Sequence, residues 1–470
     1  MERFNISEGT ICAVSTAPGM GAIAVIRLSG EKAIEITDSI FSSVKEGKRL
    51  ASAKSHTANF GVIKSPSGEI VDEVVATLFR GPHSFTGEDS VELSCHGSTF
   101  IQQRIIELLI AQGCRMALPG EFTQRAFMNG RMDLSQAEAV ADVISSSSSA
   151  AHRLAIKQMR GGFSKELSLL RDKLLQFVSL VELELDFSEE DVEFADRQDL
   201  RDLVDEIEQK ISSLAHSFQY GNAIKNGIPV AIVGETNVGK STLLNWLLNE
   251  DRAIVSDVHG TTRDVIEDTM QVNGILFRFI DTAGIRKTDD KVEALGIERT
   301  FKKIDEARIV MVVMDGTESV DKNREFLEQN QQYWTGKEAF ALLNKIDLID
   351  EQQKRSLLGL ASTYQLEALA ISAKKDINKK SVLTELTHRS GVEKADTESV
   401  VVTNLRHYEA LKNALSAIIR VSDGLTANLS GDLLSRDLRD CLFFLGDITG
   451  GEITNDEVLG NIFKHFCIGK

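Results

Sequence analysis

The residues with the most specific chemistry lie at 234–241, where Gly-Glu-Thr-Asn-Val-Gly-Lys-Ser fits the spacing G-x-x-x-x-G-K-[ST]. A short apolar run at 229–233 precedes this segment, and a helical pattern at 242–248 follows it. The glycines let the backbone turn so that its N–H groups, with the helix N-terminus, face phosphate oxygens. Lys240 would reach the β- and γ-phosphates, and the Ser241 hydroxyl would bind Mg²⁺. The segment therefore predicts a site for nucleotide phosphates.

Three later motifs, each following an apolar run, indicate which nucleotide is bound. Asp-Thr-Ala-Gly at 281–284 can hold Mg²⁺ through water and can sense the γ-phosphate with its glycine N–H. Asn-Lys-Ile-Asp at 344–347 ends in Asp347, whose carboxylate can accept from the N1–H and 2-amino groups of guanine. Adenine has no matching donors there. Ser-Ala-Lys at 372–374 adds backbone contacts to the base. The order of these motifs predicts a guanine-nucleotide site.

The residues between these motifs bear on hydrolysis. Thr262, in Gly-Thr-Thr-Arg-Asp at 260–264, is the threonine expected to bind Mg²⁺ when GTP is present. Ile285 lies where signalling GTPases place a glutamine that orients water, and an apolar side chain cannot do this by hydrogen bonding. Glu293 is the best nearby substitute, with a solvated helix glutamate as the alternative.

The elements that must position these motifs alternate between strands and helices. Short apolar strands of this kind are typical of a mostly parallel sheet that is buried on both faces. Asn273-Gly274 predicts a hairpin turn before the second strand. The predicted strands are 229–233, 275–280, 309–314 and 339–343.

Different patterns flank this α/β region. Residues 1–118 mix strand patterns at 22–28, 71–79 and 90–94 with one helical pattern at 100–111. Residues 119–226 and 395–470 are helical, so the α/β region at 227–394 is predicted to be inserted into a helical domain. Two helical faces carry apolar residues three or four positions apart: Leu167, Leu170, Leu174, Phe177, Val181 and Leu185, and Leu405, Tyr408, Leu411, Leu415 and Ile418.

Length, charge and cysteine content limit the possible classes. The 470 residues are enough for roughly three domains. The net charge of −17 disfavours a general nucleic-acid binder, but 13 acidic and two basic residues lie between 182 and 208, so the remainder is only mildly acidic. The chain shows no membrane-length apolar run and no secretory signal pattern, and its five cysteines are scattered. We therefore expect a cytoplasmic protein without a disulfide framework or membrane contact.

The chain resembles the MnmE (TrmE) family of tRNA-modification GTPases along its whole length. The resemblance implies a folate-binding and dimerisation domain at 1–118, a helical domain at 119–226 and 395–470, and an inserted GTPase domain at 227–394. The segments that resemble family signatures are Pro82-His-Ser-Phe-Thr-Gly-Glu-Asp89, Pro119-Gly-Glu-Phe-Thr123, Arg125-Ala-Phe127, Asp133-Leu-Ser-Gln-Ala-Glu-Ala139 and Phe466-Cys-Ile-Gly-Lys470.

The resemblance also implies a K⁺-activated GTPase whose GTPase domains pair during hydrolysis. Asn237 would bind K⁺ together with main-chain oxygens near Ser256, Val258 and Thr261, and the ion would act where an arginine finger acts elsewhere. The family's water-orienting glutamate corresponds to Glu293. The full set expected to contact GTP is Asn237, Val238, Gly239, Lys240, Ser241, Thr242, Ser256, Asp257, Val258, His259, Gly260, Thr261, Thr262, Asp281, Thr282, Ala283, Gly284, Asn344, Lys345, Asp347, Ser372 and Ala373.

For folate, the family's contacts correspond to Arg27, Glu92, Arg131 and Lys470. A carboxylate suits the donor edge of a pterin, and cations suit the glutamate tail. Read without the resemblance, each of these residues is more often a surface charge. Cys467 is either a functional thiol beside the folate, in a catalytic role, or a small buried hydrophobe.

The implied function is modification of tRNA at C5 of the wobble uridine, giving a carboxymethylaminomethyl or aminomethyl group. A homodimer would act with an FAD-dependent MnmG-type protein, in a heterotetramer or larger complex. The one-carbon unit would come from 5,10-methylenetetrahydrofolate, with 5-formyl-tetrahydrofolate as an analogue, and either glycine or ammonium could supply the nitrogen. The alternatives are an RNA-binding or ribosome-assembly GTPase without modification activity, and a folate-binding scaffold whose GTPase is only a switch.

Overall fold

The structure is a computed structural model that divides into two compact units, which are described separately. The first unit comprises Met1–Ile144, Ile156–Leu203 and Ala417–Lys470, and the second comprises Ser145–Ala155 and Val204–Ser416. The structure describes residues 9–186, 197–248, 268–280, 304–391, 400–427 and 429–451, with the single residues 459, 462, 463, 466 and 469. Within these ranges, no helix combines the length and the hydrophobicity needed to cross a lipid bilayer.

The α-helices of the described ranges are numbered in chain order. They are α1 (Ala33–Ile40), α2 (Thr99–Ala111), α3 (Glu121–Met128), α4 (Leu134–Ser145), α5 (Ser149–Met159), α6 (Gly162–Asp186), α7 (Arg197–Asn226), α8 (Lys240–Leu248), α9 (Val320–Asn330), α10 (Glu351–Thr363), α11 (Lys379–Ser390), α12 (Leu405–Thr426) and α13 (Gly431–Thr449).

A seven-stranded sheet forms the N-terminal part of the first unit. Its strands are β1 (Ile11–Val14), β2 (Ile23–Ser29), β3 (Phe41–Ser43), β4 (Thr57–Lys64), β5 (Ile70–Phe79), β6 (Ser90–His96) and β7 (Arg115–Met116). They lie in the order β3-β4-β5-β6-β2-β1-β7, antiparallel except for the pair β1 and β7. Every second residue of β5 from Asp72 to Leu78 is buried, and α1 and α2 share a core with this face. The opposite face carries Arg27 and Glu92.

Of the two predicted apolar helix faces, one is confirmed. The five described positions of the α6 pattern, from Leu167 to Val181, are all buried, and α6 packs along α13. The face predicted for α12 was partly wrong, because Leu405 is 56% exposed while Leu411 and Ile418 are buried. Alanines that are too small to stand out in a hydrophobic pattern, Ala410, Ala414 and Ala417, complete the buried face of α12.

A six-stranded sheet forms the centre of the second unit. Its strands are β8 (Ile228–Gly234), β9 (Asp268–Val272), β10 (Ile275–Ile280), β11 (Ile309–Asp315), β12 (Glu338–Asn344) and β13 (Glu367–Ala370). They lie in the order β13-β12-β11-β8-β10-β9, and only β9 is antiparallel to its neighbour. Asn273 and Gly274 both adopt positive φ in the turn between β9 and β10, as the hairpin prediction required.

Both faces of this sheet are covered, which explains why its strands are continuously apolar. Every residue of β11 is buried. One core joins alternate strand residues to α8 and α11, through side chains such as Leu243 and Leu386. The other core joins the remaining strand residues to α9 and α10, through side chains such as Leu327 and Leu357. The mostly parallel, doubly covered sheet predicted from the sequence is confirmed.

Candidate functional site

The carboxyl ends of the parallel strands bring the nucleotide motifs together at one edge of the second sheet. Strand β8 ends at Gly234 and leads into the phosphate loop at 234–241, while β11 ends at Asp315 and β12 ends at Asn344. Strand β13 leads into Ser372 and Ala373. Ligands of open α/β sheets bind at this edge, where successive loops face each other. We call this region, made of the loops 234–241, 344–347 and 372–373, the nucleotide site.

The phosphate loop has the conformation that its glycines predicted. Asn237 and Gly239 adopt positive φ values of 65° and 98°. A Cβ atom on Gly239 would lie 2.6 Å from Nδ2 of Asn344, so only glycine fits here. Lys240 Nζ donates to the carbonyls of Gly234 at 2.5 Å and Glu235 at 2.8 Å, which holds the ammonium over the loop. Together with the N-terminus of α8, this arrangement fits an anionic phosphate chain.

Asn344 ties the three loops of the nucleotide site to one another. Its buried side chain donates from Nδ2 to the carbonyl of Val238 at 2.9 Å. Its Oδ1 accepts from the backbone N–H of Ala373 at 3.2 Å. One amide side chain therefore fixes the phosphate loop against the segment predicted to contact the base.

Lys345 and Asp347 are positioned by three further contacts. Lys345 Nζ donates to the carbonyl of Asn237 at 2.9 Å and to Oδ2 of Asp315 at 2.5 Å. Ser372 Oγ donates to Oδ1 of Asp347 at 2.6 Å and so orients a carboxylate that lies at an exposed position. Sequence reasoning missed Asp315. Its only signal is an acidic residue that ends a fully apolar strand just before a glycine.

Several predicted residues fall outside the part of the chain that the structure describes. Their roles therefore stay predictions from the sequence. They are Ser256, Asp257, Val258, His259, Gly260, Thr261, Thr262, Asp281, Thr282, Ala283, Gly284, Glu293, Cys467 and Lys470.

In the first unit, two of the residues predicted to contact folate face each other across neighbouring strands. Arg27 on β2 pairs in register with Glu92 on β6, and its Nε and Nη2 donate to Glu92 Oε1 at 3.0 and 2.7 Å. The guanidinium lies 5.5 Å from the ring centre of Phe85 and 5.8 Å from that of Phe122. We call this arrangement the Arg27–Glu92 site.

The C-terminal end of the chain reaches the Arg27–Glu92 site. The carbonyl of Gly469 accepts from Ser15 Oγ at 3.0 Å and from Arg27 Nη1 at 3.4 Å. Gly469 adopts a positive φ of 93°, and a Cβ atom there would lie 2.5 Å from the carbonyl oxygen of Val14. Glycine is thus required for this close approach. Arg131 lies at an exposed position after α3, and no hydrogen bond or ion pair joins it to Arg27 or Glu92.

A buried ion cluster supports the helix that carries Phe122. Glu121 is fully buried, and its carboxylate accepts from Arg115, from Arg125 and from the backbone N–H of Leu118. Arg125 also pairs with Glu88 at 3.0 Å. Burial alone would raise the pKa of Glu121, but the hydrogen bonds and the two guanidinium charges outweigh it and lower that pKa. The cluster was not predicted from the sequence, because no local pattern pairs these charges.

Comparison with known families shows which family the chain belongs to. The family model described as the MnmE helical domain matches residues 134–467, and the model described as the GTP-binding protein TrmE N-terminus matches residues 10–131. The chain belongs to the MnmE family. The resemblance inferred from the sequence motifs is therefore confirmed, as is the multi-domain fold with an α/β N-terminal part, a helical domain and a P-loop GTPase domain.

Relatives in the MnmE family match over nearly the entire chain. The tRNA modification GTPase MnmE of Bacteroides thetaiotaomicron is 58% identical over 468 residues, which cover 99% of this chain and 100% of the relative. The protein of the same name from Flavobacterium johnsoniae is 52% identical, with the same coverage. Among solved structures, Era of Aquifex aeolicus bound to GDP and AlF4⁻ is 29% identical, covering 41% of this chain and 66% of that chain with a TM-score of 0.28.

Proposed function

We propose that this MnmE-family chain is a GTP hydrolase that acts in the modification of tRNA. The observation that carries the proposal is the joining of the phosphate loop to the base-contacting loops through Asn344 and Lys345. Its full-length relatives, which are named tRNA modification GTPase MnmE, support the same activity. An acidic chain with net charge −17 gives no support of its own to tRNA binding.

The described residues suit specific tasks in GTP binding. Backbone N–H groups of the phosphate loop and the Lys240 ammonium would neutralise the phosphates, since charge-assisted hydrogen bonds are the stronger ones. Asp347, oriented by Ser372, would accept from the N1–H and 2-amino groups of guanine. Mg²⁺, held by Ser241 and by the predicted ligand Thr262, would supply positive charge at the phosphate oxygens.

Potassium activation belongs to this proposal as well. Asn237 lies exposed on the phosphate loop with its backbone carbonyl held by Lys345, so its side chain can turn outward as a ligand. The other proposed ligands, the main-chain oxygens near Ser256, Val258 and Thr261, would complete the site in a dimer of GTPase domains. Glu293 would orient the attacking water.

The Arg27–Glu92 site supports the proposal of a folate. Glu92 keeps 30% of its side-chain surface exposed, on the face of the sheet opposite α1 and α2. The ring of Phe85 lies beside Arg27 and is 38% exposed, which suits stacking on a planar heterocycle. We propose that 5,10-methylenetetrahydrofolate binds here and supplies a one-carbon unit for C5 of the wobble uridine. A homodimer would act with a flavin-dependent MnmG-type partner.

Two measurements test the proposed function. GTP turnover is measured in KCl and in NaCl at equal ionic strength, and equal rates would contradict potassium activation. Wobble nucleosides are then analysed in cells that lack the chain and in cells that carry Lys240→Ala instead. An unchanged nucleoside profile in both strains would reject the tRNA assignment and favour an RNA-binding or ribosome-assembly GTPase.

A further inference from the structure

Asp315 lies at the centre of the nucleotide site although no nucleotide motif contains it. It is the last residue of β11, between the ends of β8 and β12, and it is 6% exposed. Oδ1 accepts from the backbone N–H of Thr317 at 2.9 Å and from its hydroxyl at 2.7 Å. These contacts fix the carboxylate in a single orientation, with Oδ2 directed at Lys345.

The ammonium of Lys345 is shared between two loops. It pairs with Asp315 at 2.5 Å and donates to the Asn237 carbonyl at 2.9 Å. The backbone of Lys345 adopts a positive φ of 66°, which a non-glycine residue keeps only when its surroundings hold it. Ordering a flexible lysine side chain costs rotamer entropy, and the ion pair with Asp315 helps to offset this cost.

We propose that Asp315 is a positioning residue for nucleotide binding, whose carboxylate holds the Lys345 ammonium on the Asn237 carbonyl. This contact joins the phosphate loop to the guanine-contacting loop, so that the two loops respond to the nucleotide as one unit. The inference rests on the proposed function, because it concerns the same nucleotide. It adds a residue outside the motifs and a physical link between base recognition and the loop that carries the proposed K⁺ ligand.

The charges around Asp315 suit this role. Burial alone would raise the pKa of Asp315, but the hydrogen bonds from Lys345 and Thr317 and the charge of Lys345 outweigh it and lower that pKa. The carboxylate is therefore ionised at neutral pH. A second cation near Asp315, Lys322, pairs instead with Glu318 at 2.7 Å and lies 3.9 Å from Glu235, whereas Lys345 pairs with Asp315 itself.

The first test compares Asp315→Asn with Asp321→Asn, which removes an exposed acid in the first turn of α9. Dissociation of N-methylanthraniloyl-GDP from the full chain is followed by fluorescence after excess GDP is added. We expect Asp315→Asn to dissociate about tenfold faster, the effect of losing one charge-assisted hydrogen bond. The GTP KM should rise while kcat stays within about twofold, since uniform binding is lost. Asp321→Asn should match the wild type.

A double-mutant cycle separates positioning from a general structural effect. Lys345→Met keeps the aliphatic part of the side chain and removes the ammonium. If Asp315 acts through Lys345, Asp315→Asn should change the dissociation rate by less than about twofold in this background. The same tenfold factor in both backgrounds would contradict the proposal. Lys345→Met alone should also accelerate dissociation, which keeps the test valid if Asp315→Asn does not fold.

The outcomes distinguish this inference from the proposed function. A wild-type chain that does not bind the fluorescent GDP contradicts the proposed function itself. A wild-type chain that binds it, with Asp315→Asn dissociating at the wild-type rate, contradicts only the role of Asp315.

Discussion

The nucleotide site and the Arg27–Glu92 site are built from strands in different ways. The nucleotide site uses the residues that follow parallel strands, so the sheet topology alone gathers Gly234, Asp315 and Asn344 at one edge. The Arg27–Glu92 site uses residues within antiparallel strands and a carbonyl from the chain end, at Gly469. Because side chains alternate along a strand, a shift of register by one residue would turn Arg27 or Glu92 to the opposite face of the sheet.

The two ion pairs also differ in what they hold. Lys345 and Asp315 form a pair in which the side chain of the acid is 8% exposed, and the pair fixes a backbone carbonyl of the phosphate loop. Arg27 and Glu92 form a pair whose acid is 30% exposed, on a sheet face that α1 and α2 do not cover. The comparison indicates that the first pair maintains a loop and that the second is accessible to a ligand. The predictions below test this difference.

Lys240→Ala should have the largest effect, because it removes the cation that stabilises the negative charge developing on the phosphates during hydrolysis. We expect GTP turnover to fall by about 100-fold or more, as for the loss of one strong transition-state donor. Binding of 5-formyl-tetrahydrofolate, measured by calorimetry, should stay unchanged. The control Lys354→Ala removes a lysine that pairs with the exposed Glu351 on α10. Turnover above a tenth of the wild-type rate would contradict the role of Lys240.

Asp347→Asn should change which base the nucleotide site accepts. The asparagine keeps one oxygen that accepts from N1–H, but it replaces the acceptor for the guanine 2-amino group with an N–H donor, which suits the 2-oxo group of xanthine. Each charge-assisted hydrogen bond is worth about 1.5–3 kcal/mol, so we expect GTP KM to rise about 10- to 100-fold.

Turnover of XTP should improve relative to GTP in the same variant. Asp350→Asn is the control, because asparagine retains the capping contact that Asp350 makes with Gln353 at the start of α10. An Asp347→Asn chain that still prefers GTP as strongly as the wild type would show that Asp347 does not contact the base.

Glu92→Gln should weaken the Arg27–Glu92 site while leaving the nucleotide site intact. Losing the carboxylate removes a charged acceptor for a pterin, and we expect affinity for 5-formyl-tetrahydrofolate to fall about tenfold. Calorimetry measures this, and GTP turnover of the same sample should be unchanged. Glu73→Gln, at an exposed position on the neighbouring strand β5, is the matched control. Equal affinities in all three chains would place the folate elsewhere.

The smallest effect concerns the buried cluster beneath the Arg27–Glu92 site. The folded-state pKa of Glu121 is lowered, so its charge stabilises the fold above the unfolded pKa, and this contribution is lost as pH falls through the folded pKa. Thermal midpoints of wild type and Glu121→Gln should therefore differ at neutral pH, and they should converge as the pH falls below the unfolded pKa and through the lower folded pKa. Parallel curves across this range would contradict the assignment. Glu107→Gln, on the exposed side of α2, should follow the wild type.

The sequence predicted the nucleotide site in more detail than the Arg27–Glu92 site. The strands at 229–233, 275–280, 309–314 and 339–343 appear within one residue of their predicted ends, because continuous apolar runs mark buried parallel strands. In the first unit, β1, β3, β4 and β7 were not predicted. Strands β1, β3 and β7 are too short to show a pattern, and in β4 polar and small residues interrupt the alternation of apolar and polar positions. The three domain boundaries, at 118/119, 226/227 and 394/395, and the loop and tail residues outside the described ranges stay predictions.

By itself, the sequence determined the order of the nucleotide motifs and the turns that their glycines allow. These depend on the φ, ψ and side-chain chemistry of residues close together in the chain. The tertiary structure alone decided three contacts: Lys345 pairs with Asp315, Arg27 pairs with Glu92, and Gly469 approaches β1. Such contacts depend on strand order and register, which are set by the burial of whole sheets and not by any local pattern.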